Sequence, residues 1–249
     1  MFTKVKTEQE IKDMRTSGKM LATVLQCLKP KVEVGMTTQD LAVLAETELK
    51  KLGGKPAFLG YAGFPSVICI SVNDEVVHGI PGKKVINDGD LVSLDFGVNY
   101  NKMITDAAIT IIAGESNGAK RRLLKGTEES LLAGINSVKD GVRTGDIGAA
   151  VEKVLTQYGF GIVRDLVGHG VGHEVHEEPD VPNYGSGGTG SKLSAGMTIA
   201  IEPMSTLGSE RVVLENDGWT IKTYDGSLSA HFEHTILITK DSAEILTLV

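Results

Sequence analysis

The feature that most constrains how this chain can fold is that its two halves carry the same pattern. Gly35-Met36-Thr37-Thr38-Gln39-Asp40-Leu41 is answered by Gly141-Val142-Arg143-Thr144-Gly145-Asp146-Ile147, and each leads into a helix-length segment closed by glycine. His78-Gly79-Ile80-Pro81 is answered by His176-Glu177-Glu178-Pro179, and residues 89–95 by residues 196–202. Each half therefore contributes one His-x-x-Pro and one carboxylate at a strand-like run. This is the pattern of a duplicated α/β unit, and two such units facing each other would line a shared, water-excluding cleft. The expected organisation is one domain over 1–249, with pseudo-repeats of roughly 1–115 and 116–249.

Local signals place four helices. Thr7 and Glu10 form a capping-box pattern, Ile11, Met14, Leu21, Val24, Leu25 and Leu28 share one helical face, and Pro30 stops the run. A second helix begins near Thr38, buries Leu41, Leu44, Ala45, Leu49 and Leu52, and ends at Gly53-Gly54. Extended sequence follows to about Ile112. Helices near 119–138 and 144–158 then lead into a second β-rich stretch. The run Gly185-Ser186-Gly187-Gly188-Thr189-Gly190-Ser191 reads as a flexible loop bordering the cleft.

A formal charge of −7, with no block of lysine or arginine, argues against a general nucleic-acid or anionic-membrane binder. Cys27 and Cys69 are the only cysteines, one in a predicted helix and one in a predicted strand, so no disulfide framework is expected. The start, Met1-Phe2-Thr3-Lys4-Val5-Lys6, lacks the apolar core of a signal peptide, and no apolar run approaches membrane-spanning length. A cytoplasmic monomer is the expectation.

The chemistry lies in charges placed where strands should be apolar. Asp95 sits in Leu91-Val92-Ser93-Leu94-Asp95-Phe96, Asp106 opens Asp106-Ala107-Ala108-Ile109, Glu202 ends Thr198-Ile199-Ala200-Ile201-Glu202, and Glu233 lies in His231-Phe232-Glu233-His234. Burying four carboxylates without a counter-ion is prohibitive, and no basic residue occurs inside these segments. With His169 from Gly168-His169-Gly170-Val171-Gly172 they form an oxygen-rich ligand set suited to a pair of divalent ions such as Mn, Fe, Co or Zn. Two bound ions would also offset much of the chain's negative charge. Asp95 and Asp106 are expected on a hairpin with a longish turn holding Gly97, Asn99, Asn101 and Lys102. A metal pair activating a shared water makes hydrolysis the leading chemistry. His78 and His176, matched across the repeat, are candidate hydrogen-bond donors at the scissile group. His173, His231 and His234 read as structural or as lying behind the ligands, and Glu177 and Glu178 as acids facing solvent or lying behind the ligands.

The segments Gly168-His169-Gly170-Val171-Gly172-His173-Glu174-Val175-His176-Glu177-Glu178-Pro179, Ile201-Glu202-Pro203-Met204 and Glu233-His234-Thr235 resemble a methionine aminopeptidase, and the likeness covers nearly the whole chain. The shortness before Asp95 resembles the type I enzymes. The fold this implies is α+β, the pita-bread fold: two pseudo-symmetric α/β halves with a curved antiparallel sheet covered by helices. The resemblance implies removal of N-terminal methionine from nascent polypeptides near the ribosome. It implies that Asp95 binds one ion, His169 and Glu202 the other, and Asp106 and Glu233 bridge them. Glu202 would assist proton transfer, and His176 and His78 would contact the scissile amide. Tyr61, Phe64, Cys69, Trp219 and His78 match the family's methionine-pocket positions. Phe58 departs from the pattern, standing where a smaller residue is common, and Val175 stands where an aromatic is common.

Other readings of the same residues are a proline-directed pita-bread peptidase, a non-catalytic pita-bread binding module and a dinuclear phosphoesterase. Every ligand is retained, against the binding module. No basic residue stands near these motifs to hold phosphate, against the phosphoesterase.

Overall fold

Four helices occur where the local signals put them. The computed structural model describes residues 3–249, with α1 at Glu8–Leu28, α2 at Thr38–Leu52, α3 at Gly118–Asn136 and α4 at Thr144–Tyr158. Thr7 and Glu10 cap α1 reciprocally, as do Thr37 and Asp40 for α2, so the first-turn N–H groups are satisfied by side chains. Gly53 (φ 80°) and Gly159 (φ 67°) close α2 and α4 in the left-handed region where glycine is unstrained. Leu41, Ala45 and Leu49 are buried as expected, but Leu52 in the last turn is 38% exposed, because α2 ends before its stripe completes another turn against the sheet.

The strand Leu91–Tyr100 is the spine of the first half. It pairs antiparallel with Met103–Ile112, Cys69–Val72 and Lys55–Pro56. The turn after it is tighter than the sequence suggested. Only Asn101 (φ 51°) and Lys102 (φ 69°) lie between paired strands, and both take left-handed φ, the geometry of a two-residue type I′ hairpin. Gly97 and Asn99 therefore belong to the strand. In the second half, five antiparallel strands run in the order Ala243–Ile245, His234–Ile238, Thr198–Ile201, Gly168–Gly170, Glu177–Val181.

Helices α1 and α2 cover the first sheet through Leu21, Leu28, Leu41 and Leu49, packed on Ile70, Leu94 and Phe96. Helices α3 and α4 cover the second through Leu123, Leu131, Ile147 and Val151, packed on Ile199, Ile201 and Ile236. The halves also use the same bonds at corresponding turns. Gly35 N–H donates to Ile86 O and Ile86 N–H to Met36 O, while Gly141 N–H donates to Leu193 O and Leu193 N–H to Val142 O.

The two sheets are stitched together where the acids lie. Glu233 N–H donates to Ala108 O (2.9 Å), Asp106 N–H to Thr235 Oγ1 (2.8 Å), and His231 N–H to Thr110 Oγ1 (2.9 Å). This seam brings carboxylates from distant parts of the chain onto one surface. The glycine-rich segment 185–191 does not border the cleft. Gly188 N–H donates to Asp146 Oδ1 (2.6 Å) and Gly145 N–H to Thr189 O (3.1 Å), so the segment wraps the start of α4. No described helix is long and apolar enough to cross a membrane, and both cysteines are free.

Candidate active site

Strand register sets the first two acids. Asp95 lies opposite Ala108 and Gly97 opposite Asp106, which makes Asp95 and Asp106 diagonal neighbours on one face. His169 comes from the short strand Gly168–Gly170, whose flanking glycines permit close approach: a Cβ on Gly170 would meet Glu178 O at 2.7 Å. Its Nδ1 lies 2.9 Å from Gly170 O. A carbonyl only accepts, so the ring proton sits on Nδ1 and Nε2 offers a lone pair. Glu202 leaves the end of Thr198–Ile201 with Oε1 3.3 Å from that Nε2. Glu233 stands at the seam between Ser229–His231 and His234–Ile238.

One ligand atom each from Asp106, His169 and Glu233 fall within 4.8 Å of one another, all from buried residues. Asp95 adjoins this group beside Asp106, and Glu202 adjoins it beside His169. Burial pushes all four carboxyls upward, Asp106 to about 7, with Asp95, Glu202 and Glu233 further raised by neighbouring carboxylate charge. Asp95 Oδ1, Asp106 Oδ1 and Glu233 Oε1 are buried with no protein partner. Burial, followed by the charge of His176, lowers His169 to about 3, so at neutral pH the imidazole offers no compensating charge. No lysine or arginine lines the cavity. Orphaned acid oxygens beside a neutral imidazole lone pair are the donor set of a hard-to-borderline divalent cation, so the residues fit a metal site.

All the residues singled out from the sequence line one cavity: Tyr61, Phe64, Cys69, His78, Asp95, Asp106, His169, His176, Glu202, Trp219 and Glu233. Phe58 and Val175 line it too. Its volume is about 80 Å³. At roughly 10–15 Å³ per water position, that accommodates a side chain and not a run of polypeptide. One wall is apolar, with Phe64 edge-on to Trp219 (centroids 5.1 Å apart), and the acids form the floor. Cys69 pairs with Asp95 across the sheet; burial, then Asp95, raises its thiol well above the usual range and keeps it protonated.

His78 takes a left-handed φ of 60° directly after the strand Glu75–Val77, and burial, followed by the charge of His176, lowers it to about 4. His176 Nδ1 lies 3.0 Å from the Tyr61 hydroxyl, and its ring is 4.3 Å from that of His169. Burial lowers His176 as well, so both imidazoles are uncharged at neutral pH.

For the acids and the histidine that the sequence left between two readings, burial decides between them, and one further residue enters. Glu177 is buried, not solvent-facing, while Glu178 is exposed. His231, read from the sequence as structural or lying behind the ligands, is buried with both ring nitrogens unpartnered and Nε2 3.8 Å from both Glu202 and Glu233. Lys6 was not singled out at all, and its side chain is buried.

An antiparallel two-half fold carrying Asp, Asp, His, Glu and Glu around one cavity defines a pita-bread metallopeptidase, and residues 12–240 match metallopeptidase family M24, to which the chain belongs. The methionine aminopeptidase of Clostridium perfringens is 47% identical over 98% of both chains. The crystal structure of the Thermotoga maritima methionine aminopeptidase superposes with a TM-score of 0.98 at 47% identity, covering 100% of each chain. The prolidase of Pyrococcus furiosus shares 25% identity at a TM-score of 0.81, but this chain spans only 65% of it. Within the M24 family the chain falls among the type I methionine aminopeptidases.

Proposed function

We propose that this chain removes the N-terminal methionine from peptides and nascent proteins, using Asp95, Asp106, His169, Glu202 and Glu233 to hold two divalent ions. The observation that carries the reading is the joining, in one small cavity, of an apolar pocket to a floor of orphaned buried acids. Asp95 would hold one ion, His169 and Glu202 the other, and Asp106 and Glu233 both. When bound, the ions supply the positive charge that keeps four buried acids ionised and lower the pKa of the attacking water.

The remaining work falls to side chains of the chain itself. Tyr61, Phe64, Cys69 and Trp219 enclose an unbranched thioether side chain and exclude water around it. With the methionine side chain seated there, its free α-amine lies toward the acid floor, and the small volume leaves no room for chain before it. That restricts cleavage to the first peptide bond. Glu202, an ionised acid once its charge is compensated, takes the proton of the attacking water at its carboxylate and returns it to the departing amine. With Tyr61 as donor to His176 Nδ1, the ring proton would sit on Nε2. From there His176 stabilises the oxyanion, and neutral His78 donates to the scissile amide.

The whole chain acts as one catalytic domain with pseudo-repeats of roughly 1–115 and 116–249, which the matching turn hydrogen bonds of the halves support. We place it in the cytoplasm as a monomer working beside the ribosome, where N-terminal methionine first emerges. Digestion of a peptide library with Mn, Fe, Co and Zn in turn tests reaction, substrate and metal together. Release of methionine from Met-Ala-Ser should far exceed cleavage of Ala-Pro-Ala, and the reverse order would overturn the assignment in favour of a proline-directed enzyme. Metal content under saturating ion should approach two per chain; less than one would favour a binding module.

A further inference from the structure

Outside the cavity the molecule buries a complete ion pair, and that pair touches the loop carrying His176. Lys6 Nζ lies 3.3 Å from Glu177 Oε2, and neither side chain is reached by solvent. All three ammonium donors of Lys6 are used: the other two go to Thr3 Oγ1 (3.1 Å) and Lys4 O (3.2 Å). Glu177 Oε1 accepts the backbone N–H groups of His173 (2.6 Å) and Glu174 (3.1 Å), which ties the turn between His169 and His176 to its own backbone. The lysine stem runs against Gly172, where a Cβ would meet Lys6 Cε at 2.5 Å. The segment before α1 is fastened to the same sheet edge, with Thr3 N–H donating to Glu178 O (2.5 Å) and Lys6 N–H to Gly196 O (2.8 Å). Glu10, in the first turn of α1, takes His173 Nε2 at 2.8 Å.

Burying two charges is costly, and an apolar pair would fill the space as well. What the ion pair adds is direction: an ionised Glu177 accepts the two N–H groups in charge-assisted, stronger bonds, and the charge of Lys6 favours that ionised form. We propose that Lys6 is a positioning residue for the reaction, acting through Glu177 to hold the 172–177 turn and so fix the His176 imidazole at the cavity mouth. This rests on the role given to His176 above.

The test is a kinetic cycle on the full chain with saturating metal, using Lys6→Met, His176→Ala and the double variant. Lys6→Met should lower kcat by about tenfold with KM within about twofold, since the imidazole's bond forms mainly in the transition state. In the His176→Ala background the same change should cost less than about twofold, because nothing remains to be positioned. Equal losses in both backgrounds, or an unchanged kcat in Lys6→Met, would overturn the proposal, since a merely structural staple acts whether or not His176 is present. A wild-type kcat in His176→Ala would instead remove the role of His176, and the proposal with it. Should Lys6→Met fail to fold, Thr3→Ala, which removes one of the ammonium's acceptors, should show the same dependence on background with a loss of about threefold.

Discussion

Gly97 lies directly behind Phe58, a residue of the cavity wall, and one added methyl there should reshape the apolar pocket. Gly97 lies mid-strand opposite Asp106, on the face that carries Asp95, and its φ is not one that needs glycine. A Cβ there would meet Phe58 Cε1 at 2.5 Å, Phe58 Cδ1 at 2.9 Å and Ala57 Cβ at 3.1 Å. Carbon contacts settle at roughly 3.5–4.0 Å, so the ring must retreat by about 1 Å. Phe58 lines the cavity, so the retreat narrows it. Overpacking of this kind costs about 1–3 kcal/mol of stability, which lowers Tm by roughly 2–12 °C in a chain this size and leaves the protein folded at 25 °C. Loss of about one methylene's room in an apolar pocket is worth about 1–3 kcal/mol of discrimination, a factor of roughly 10–200. Gly97→Ala should therefore lose about 10–100-fold in kcat/KM on Met-Ala-Ser. On norvalyl-Ala-Ser, whose unbranched side chain is one heavy atom shorter, it should lose less than about threefold. Adding Phe58→Leu should restore methionine cleavage. Liquid-chromatographic release assays at saturating metal measure all of these. Equal losses on the two peptides would show that the methyl disturbs the acids and not the pocket, and the reasoning would fail.

Three further outcomes follow from the site. His169→Ala and Glu202→Gln should each lower kcat by about 100-fold or more while circular dichroism stays native, since the proposed mechanism gives each a metal to hold or the water's proton to carry; an active Glu202→Gln enzyme would exclude that carboxylate as the proton carrier. His176→Ala should reduce kcat more than it raises KM, and an unchanged kcat would take it out of the mechanism. In the metal-free protein the Asp106 contribution to thermal stability should be lost as pH rises from about 4 toward about 7, because its folded pKa is raised to about 7 from an ordinary 3.8. Buried His78 and His169, lowered to about 4 and about 3, act in the opposite sense over the same window, so the measurement is the difference between the parent and Asp106→Asn by calorimetry across the pH range: the variant should gain on the parent as pH rises, and a difference that does not change with pH would mean the acid is not held as described.

Much of this protein was legible in its sequence because the signals are local or repeat. Capping residues, terminal glycines and apolar stripes drew all four helices, since each depends on residues three or four apart. The four acids of the candidate site stood out because a carboxylate inside an apolar strand is too costly to bury unless a cation compensates it. The hairpin turn was misjudged as long because Gly97 and Asn99 look like turn residues, while the long strand pairing that overrides their preference is tertiary.

What tertiary structure alone decided are contacts between residues far apart in the chain. The seam at Asp106 and Thr235 spans 129 positions, and the bond from Lys6 to Glu177 spans 171. A lysine near a chain's start and a glutamate in a loop carry no mark of their partnership until the sheet edge closes over both. The same closure turned Glu177 inward and set His231 behind Glu202 and Glu233. Periodicity reports which face of an element is buried, whereas the choice of what it meets there is made by packing between elements.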